Sequence, residues 1–235
     1  MSVNRQVDSL LKPRGPKQHE LEMLEMVRSV VPAGFSGRVL DVGCGNGNFL
    51  KLMAGALPKA SLNGIDLSED CVRFASENLK GLNCRLIVAD ALGFQPAEPY
   101  DIVIAAGVLS IFEDVEAPLR KWCSWVNPGG HLFIFGRFNS RDIDTVIRFR
   151  NNVVNHGWEG GMTAFSTATV KKVVETLGHV CEFKRFELNM DIAETDNPVH
   201  TFTVKTADGR RMILSGANTV CEYYFLHITV GVGNG

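Results

Sequence analysis

No two of the six cysteines, Cys44, Cys71, Cys84, Cys123, Cys181 and Cys221, form a C-x-x-C pair, and their wide scatter excludes the spacing of a zinc site or a disulfide framework. They are expected as reduced, mostly buried thiols of a cytoplasmic protein. The amino terminus lacks an apolar core segment and carries Arg5, Lys12, Arg14 and Lys17, so neither a secretory signal nor a membrane-spanning helix is expected there. Charge of one sign is lacking too. With 24 basic and 26 acidic residues the net charge is −2, which offers no broad attraction to nucleic acid or to an anionic membrane. Repeats, low-complexity tracts and charge blocks are absent. What is present is 235 residues of 45% hydrophobic content, the size of one α/β domain, able to bury roughly 70–75% of its unfolded surface without staples.

The most informative stretch is Arg38 to Leu50, an apolar strand running into a turn with glycines at Gly43, Gly45 and Gly47 and then into a helix. Alternating glycines let the backbone take positive φ and lie against a ligand with no Cβ between them. A dinucleotide site wants G-x-G-x-x-G with the pyrophosphate on the helix N-terminus. Here the third glycine comes one residue early, and Asn48 holds the dinucleotide position. Asp41, two residues before the first glycine, repels a phosphate and welcomes a cationic amino group. A zwitterionic ligand is therefore favoured over a pyrophosphate.

Asp66 ends a second apolar strand and Asp90 follows a third, Cys84 to Val88. At a sheet's carboxyl edge, the first carboxylate suits a pair of ribose hydroxyls and the second an adenine amino group. Each Asp alone reads equally as a helix cap or turn residue; behind a glycine turn, acids at successive strand ends point to a nucleoside. At this point the chain resembles the class I S-adenosylmethionine-dependent methyltransferases. Val39-Leu40-Asp41-Val42-Gly43-Cys44-Gly45-Asn46-Gly47 is similar to that family's first motif. The segments beginning at Leu62, Leu86, Tyr100 and Asn127 follow in the family's order. The likeness is strong over about residues 37 to 136.

It implies an α/β, Rossmann-like, doubly wound sheet of seven strands, mostly parallel with an antiparallel last strand, plus lid elements. It also implies S-adenosylmethionine as cofactor, with S-adenosylhomocysteine as product. Asp41, Gly43, Cys44, Gly45 and Gly47 are expected around the methionine portion, Asp66 and Leu67 at the ribose, and Asp90 with Ala91 at the adenine. Ala106 and Gly107 are expected to border the reactive methyl. Cys44 is expected to pack and not to react.

Residues 1–36 read as an N-terminal helical lid, with a helix from Gln18 to Val31 closed by Pro32 and Gly34. Residues 37–235 form the domain, with 137–165 and 191–219 as substrate-side insertions. One helix follows Gly47 and stops before Pro58; a second is capped by Ser68 and runs toward Leu79. A fourth strand spans Tyr100 to Ala105, a helix Val115 to Val126, and a fifth strand His131 to Phe135. Beyond Gly136, Ser140 is expected to cap a helix through about Asn155, and Gly157 to Met162 to form a closing loop. A helix from Thr167 to Leu177, with Gly178 at C′, precedes a sixth strand over Val180 to Glu187. Thr201 to Lys205 and Arg211 to Leu214, joined through Asp208-Gly209, read as a hairpin flap. Glu222 to Thr229 is the last strand.

The implied chemistry is an in-line displacement in which the protein chiefly positions a nucleophile and, where it is protonated, removes the proton. Candidate catalytic residues are His156 and Arg137; candidate substrate contacts are Trp158 and Asn139. Each has a bland alternative: surface or hydrogen-bonded for His156, packing for Trp158. The stretch Ala105-Ala106-Gly107-Val108 lacks the Asn/Asp-Pro-Pro-aromatic pattern of the subclass that methylates planar amides and nucleobases. Gly136-Arg137-Phe138-Asn139 stands where the metal-dependent catechol type has an Asp-Asn pair, so no catalytic metal is expected. Ile111 replaces a His common in related small-molecule enzymes. The resulting expectation is methyl transfer to a small polar metabolite, at oxygen, nitrogen or sulfur, without nucleic-acid or membrane partners. A protein or RNA methyltransferase, and a non-catalytic S-adenosylmethionine-binding protein, stand as alternatives.

Overall fold

A computed structural model describes residues 14–152, 157–195 and 200–231. The first three strands are β1 (Arg38–Val42) and β2 (Ser61–Asp66), which are buried, and β3 (Cys84–Val88), an edge strand that is only partly buried, each followed by a turn at the carboxyl edge of the sheet. β4 (Tyr100–Ala106) and β5 (Val126–Asn139) continue the parallel pairing, and β11 (Tyr223–Thr229) runs antiparallel between β5 and β7 (Val180–Arg185). The order is β3-β2-β1-β4-β5-β11-β7. A short strand, β6 (Phe165–Ser166), pairs with the far end of β5. The winding reverses between β1 and β4, and in such sheets the crevice at this switch point receives ligands.

Helices cover both faces. α1 (Gln18–Val30), α2 (Asn48–Ala56) and α3 (Glu69–Asn78) bury Met23, Val27, Leu50, Met53 and Ala75 on one face. α4 (Glu116–Cys123) and α5 (Thr167–Thr176) bury Leu119, Trp122, Val170 and Val174 on the other. α1 thus belongs to the core through its middle turns, while its first turn reaches the carboxyl edge of β5. Local chemistry sets the helix ends. Ser68 Oγ accepts from Cys71 N at the start of α3, Ser166 Oγ accepts from Ala168 N and Thr169 N at the start of α5, and Gly178 follows α5 at φ +80°.

Two expectations change. β5 is 14 residues long, beginning at Val126 opposite Tyr100 and passing a register shift before Ile102 faces His131; Val230 N donates to Gly130 O and Gly129 N to Val230 O, which extends the pairing through the glycines. The helix expected from Ser140 to Asn155 is not formed: residues 140–152 are irregular, with bridges from Thr145 to Ala164 and Phe149 to Glu159. Asn139 Oδ1 accepts from Arg141 N, and Asp144 Oδ1 accepts from Ser166 N. These side-chain bonds compete with helix formation, as does the β-branched run Thr145-Val146-Ile147.

The flap is a separate three-stranded sheet of β8 (Thr201–Lys205), β9 (Arg211–Ser215) and β10 (Val220–Cys221). Among the described residues no helix is long and apolar enough to cross a membrane.

Candidate functional site

The glycine turn is built by backbone geometry. Gly43, Gly45 and Gly47 all have positive φ, at 70°, 53° and 73°. Their reasons differ. A Cβ on Gly43 would stand 2.5 Å from Val108 Cγ2, whereas Gly45 faces open space. Gly47 caps α2, and a Cβ there would meet Leu79 Cδ1 at 2.8 Å and Ala75 Cβ at 3.1 Å, both on the α3 side. The third glycine of the motif therefore serves helix packing. Cys44 is buried with its Sγ against Gly64, and burial holds its thiol well above the ordinary range.

Beside the turn lies a cavity of about 430 Å³ walled by Gly43, Asp66, Leu67, Asp90, Ala91 and Val108, with Ile111 and Phe112 closing its far side. Asp66 Oδ2 accepts from Gly45 N (3.0 Å) and Oδ1 from Ser68 N (2.9 Å). The carboxylate is thus pinned at the strand end. Asp90 Oδ1 accepts from Leu92 N and Gly93 N, both at 2.8 Å. Asp41 is 3% exposed, and no donor among the described residues reaches its carboxylate. Burial, then the nearby Glu20 and Asp66, pushes its pKa well above the usual carboxylate range.

Glu20, on the first turn of α1, is 6% exposed and holds Arg14 through two bonds of 2.6 and 2.8 Å.

A second cavity, about 490 Å³, adjoins the end of β5. Its walls are mostly apolar: Phe135, Phe186, Leu188, Met190, Ile192 and Ile213, with Tyr223 and the α1 residues Lys17, Gln18 and His19. Phe135 ties this wall to the end of β4, since its carbonyl accepts from Gly107 N (2.7 Å) and it pairs in register with Ala106. The His19 ring stacks on Phe135 at 4.4 Å between centroids and 3° between planes; Tyr223 stacks on it at 5.5 Å and 16°. Burial lowers the His19 pKa to about 4.

Among the residues expected from sequence, Gly43, Asp66, Leu67, Asp90 and Ala91 line the first cavity, and Asp41 is near Asp66. Gly45, Gly47, Cys44, Ala106 and Gly107 support it from outside its walls. Arg137 and Asn139 line a third cavity, about 340 Å³, under the 140–164 segment. There Arg137 Nε donates to the Tyr223 hydroxyl (3.1 Å), and Asn139 Nδ2 donates to Ile143 O. Trp158 is 64% exposed and carries the Arg150 guanidinium 5.4 Å over its ring, outside these cavities. His156 lies outside the described residues. His19 and Tyr223 were not foreseen; only a His on the inner side of α1 signals the first.

The profile of the methyltransferase domain family matches residues 39–130. Residues 39–130 are a methyltransferase domain. It spans the strands from β1 to the start of β5 and every acid of the first cavity. Beyond it, the chain is 31% identical over 109 residues to a trans-aconitate 2-methyltransferase of Streptomyces avermitilis, covering 44% of this chain and 40% of that protein. It is 33% identical over 121 residues to a ubiquinone biosynthesis O-methyltransferase of Ralstonia nicotianae, covering 49% and 50%. The chain therefore spans about half the length of these curated relatives, or less.

The methyltransferase domain and its surroundings share their fold with the YcgJ protein of Bacillus subtilis (TM-score 0.63, 14% identity, 92% of this chain and all of that one). They share it also with DhpI in its complex with SAH (TM-score 0.57, 18% identity, 88% and 82%).

Proposed function

We propose that the protein transfers a methyl group from S-adenosylmethionine to a small molecule. The reading is carried by one observation: the glycine turn at Gly43 and the strand-end acids Asp66 and Asp90 wall one cavity at the carboxyl edge of the sheet, and a second, mostly apolar cavity lies at the end of β5.

The residues present fit the cofactor. Gly43 and Gly45 leave the backbone bare, Asp66 offers pinned acceptors to two ribose hydroxyls, Asp90 and Ala91 border the adenine, and Asp41 takes the amino group. The buried Asp41 carboxyl, beside Asp66 and Glu20, supports this assignment, because a cationic amino group there favours its charged form. Bound there, S-adenosylmethionine supplies a methyl group on a sulfonium. The protein's own part is to hold the acceptor in line with it, at Ala106, Gly107 and Phe135, and to exclude water. Arg137 holds the Tyr223 hydroxyl in place at the rim, and Trp158 and Asn139 shape the loops outside.

The names of the relatives, a trans-aconitate 2-methyltransferase and a ubiquinone biosynthesis O-methyltransferase, favour a small acceptor. The wall chemistry favours one whose body is apolar and whose polarity is confined to the reacting group. Six thiols outside any disulfide suit a reducing compartment, the cytoplasm.

The test is incubation with methyl-labelled S-adenosylmethionine and fractionated cell extract. Label is expected in small molecules and S-adenosylhomocysteine among the products; label in polymer alone, or none, contradicts the reading.

A further inference from the structure

Trp122, on the last turn of α4, is fully buried, and its indole reaches the back of the first cavity at two places. Nε1–H donates to Ala91 O across 3.0 Å, and the ring meets Phe112 edge-on, at 5.9 Å between centroids and 71° between planes. Ala91 and Phe112 both line the 430 Å³ cavity, whereas Trp122 does not.

The peptide unit between Ala91 and Leu92 is held at both poles. Its carbonyl accepts from the indole, and its N–H, that of Leu92, donates to Asp90 Oδ1 (2.8 Å). Gly93 N donates to the same oxygen and Phe94 N to Asp90 O, so these bonds stay inside the turn. Among the described residues, the indole supplies the one hydrogen bond that ties residues 90–94 to another element. Of residues 91–94, Ala91 alone keeps a backbone N–H without a partner among the described residues.

Burying an indole in this core does not by itself require such a bond. Trp125, three positions on and 2% exposed, has a buried Nε1 with no hydrogen-bond partner among the described residues. Of the two buried indoles, the one that is bonded is the one that faces the cavity wall.

We propose that Trp122 is a positioning residue that makes the first cavity selective for an amino-bearing purine, by fixing the Ala91 peptide and the Phe112 ring. The proposal rests on the methyltransferase reading above, which sets the adenine at Asp90 and Ala91. The ring nitrogen beside the adenine amino group is an acceptor and matches the spare Ala91 N–H; in hypoxanthine that nitrogen carries a proton, and two donors then oppose each other. Discrimination by one such group depends on how firmly the turn is held, because a loose turn swings its donor aside and spares the wrong base the unpaired contact.

The experiment titrates the native protein and two variants in calorimetry with S-adenosylhomocysteine and with S-inosylhomocysteine, the same ligand with hypoxanthine for adenine. In one variant Trp122 is replaced by its benzothienyl analogue, which keeps the ring shape and sets sulfur where Nε1–H stood; the other is Trp122→Phe. The native protein is expected to prefer the adenine ligand by about tenfold or more, and both variants to lose roughly fivefold of that preference, mainly through weaker S-adenosylhomocysteine. A merely structural role weakens both ligands alike and leaves the ratio where it was. The proposal is overturned if the native protein does not distinguish the ligands, or if the benzothienyl variant keeps the native ratio. Should Trp122→Phe show no melting transition, the isosteric variant alone decides. Failure of S-adenosylhomocysteine to bind the native protein would instead sink the methyltransferase reading itself.

Discussion

The two halves of the carboxyl edge are assembled in opposite ways. On the β1–β3 side, each group at the cavity follows its own strand within a few residues: Gly43 after β1, Asp66 at the end of β2, Asp90 after β3. On the β5–β11 side, the wall brings together residues 16–19, 135, 186–192, 201, 213 and 223, which meet only because β11 inserts between β5 and β7 and the flap folds back. In the proposed reading, the cofactor is met by local strand-end geometry and the acceptor by long-range packing. Four perturbations separate the halves.

The largest effect is expected from Phe135→Ala. The ring is buried among His19, Phe186, Tyr223 and Phe225, and its loss should cost about 3–5 kcal/mol in denaturant unfolding. Phe112→Ala, on the half-buried adenosine side, should cost less than about 2 kcal/mol. Equal losses would erase the distinction between a packed half and an open one.

Asp66→Ala should weaken S-adenosylhomocysteine by about 2 kcal/mol, roughly thirtyfold, in calorimetry. Unchanged affinity would remove this carboxylate from the site.

The third perturbation is pH. His19 has a folded pKa near 4 against an ordinary 6.5, with Glu20, Lys17, Arg14 and Glu22 as the charges around it. Between those values the unfolded chain binds a proton that the folded chain does not, so stability falls as pH drops from 6.5 toward 4. The melting temperature should therefore fall between pH 7 and pH 5, and His19→Phe should flatten that fall. An identical fall in the variant would refute the buried neutral ring.

The smallest effect is expected from Asp90→Asn. The amide oxygen keeps the bonds from Leu92 N and Gly93 N, so S-adenosylhomocysteine affinity should change by less than about 1 kcal/mol in the same titration. A loss as large as that of Asp66→Ala would give the two acids equal weight.

The same contrast explains what was legible in the sequence. Cys84–Val88 was read to the residue, and Ser68 and Gly178 marked the ends of their helices, because apolar runs and cap residues act over short distances. Asp66 and Asp90 were readable for the same reason. Gly47 was legible as a glycine but not in its purpose, since Leu79 and Ala75 come from another helix. The segment after Ser140 was misread as a helix because its competitors, Asp144 to Ser166 N and Thr145 to Ala164, reach across some twenty residues. His19 escaped for a related reason: on α1 it is one polar residue among several, and only its stack on Phe135, more than a hundred positions away, places it in the wall of the second cavity.

The central claim is that the glycine turn and the strand-end acids of the methyltransferase domain hold a sulfonium nucleoside. Its most direct test is calorimetric titration of the native protein with S-adenosylhomocysteine, followed by competition with NADH. One saturable site that Asp66→Ala weakens and NADH does not displace is the predicted result; no binding, or displacement by NADH, would contradict it.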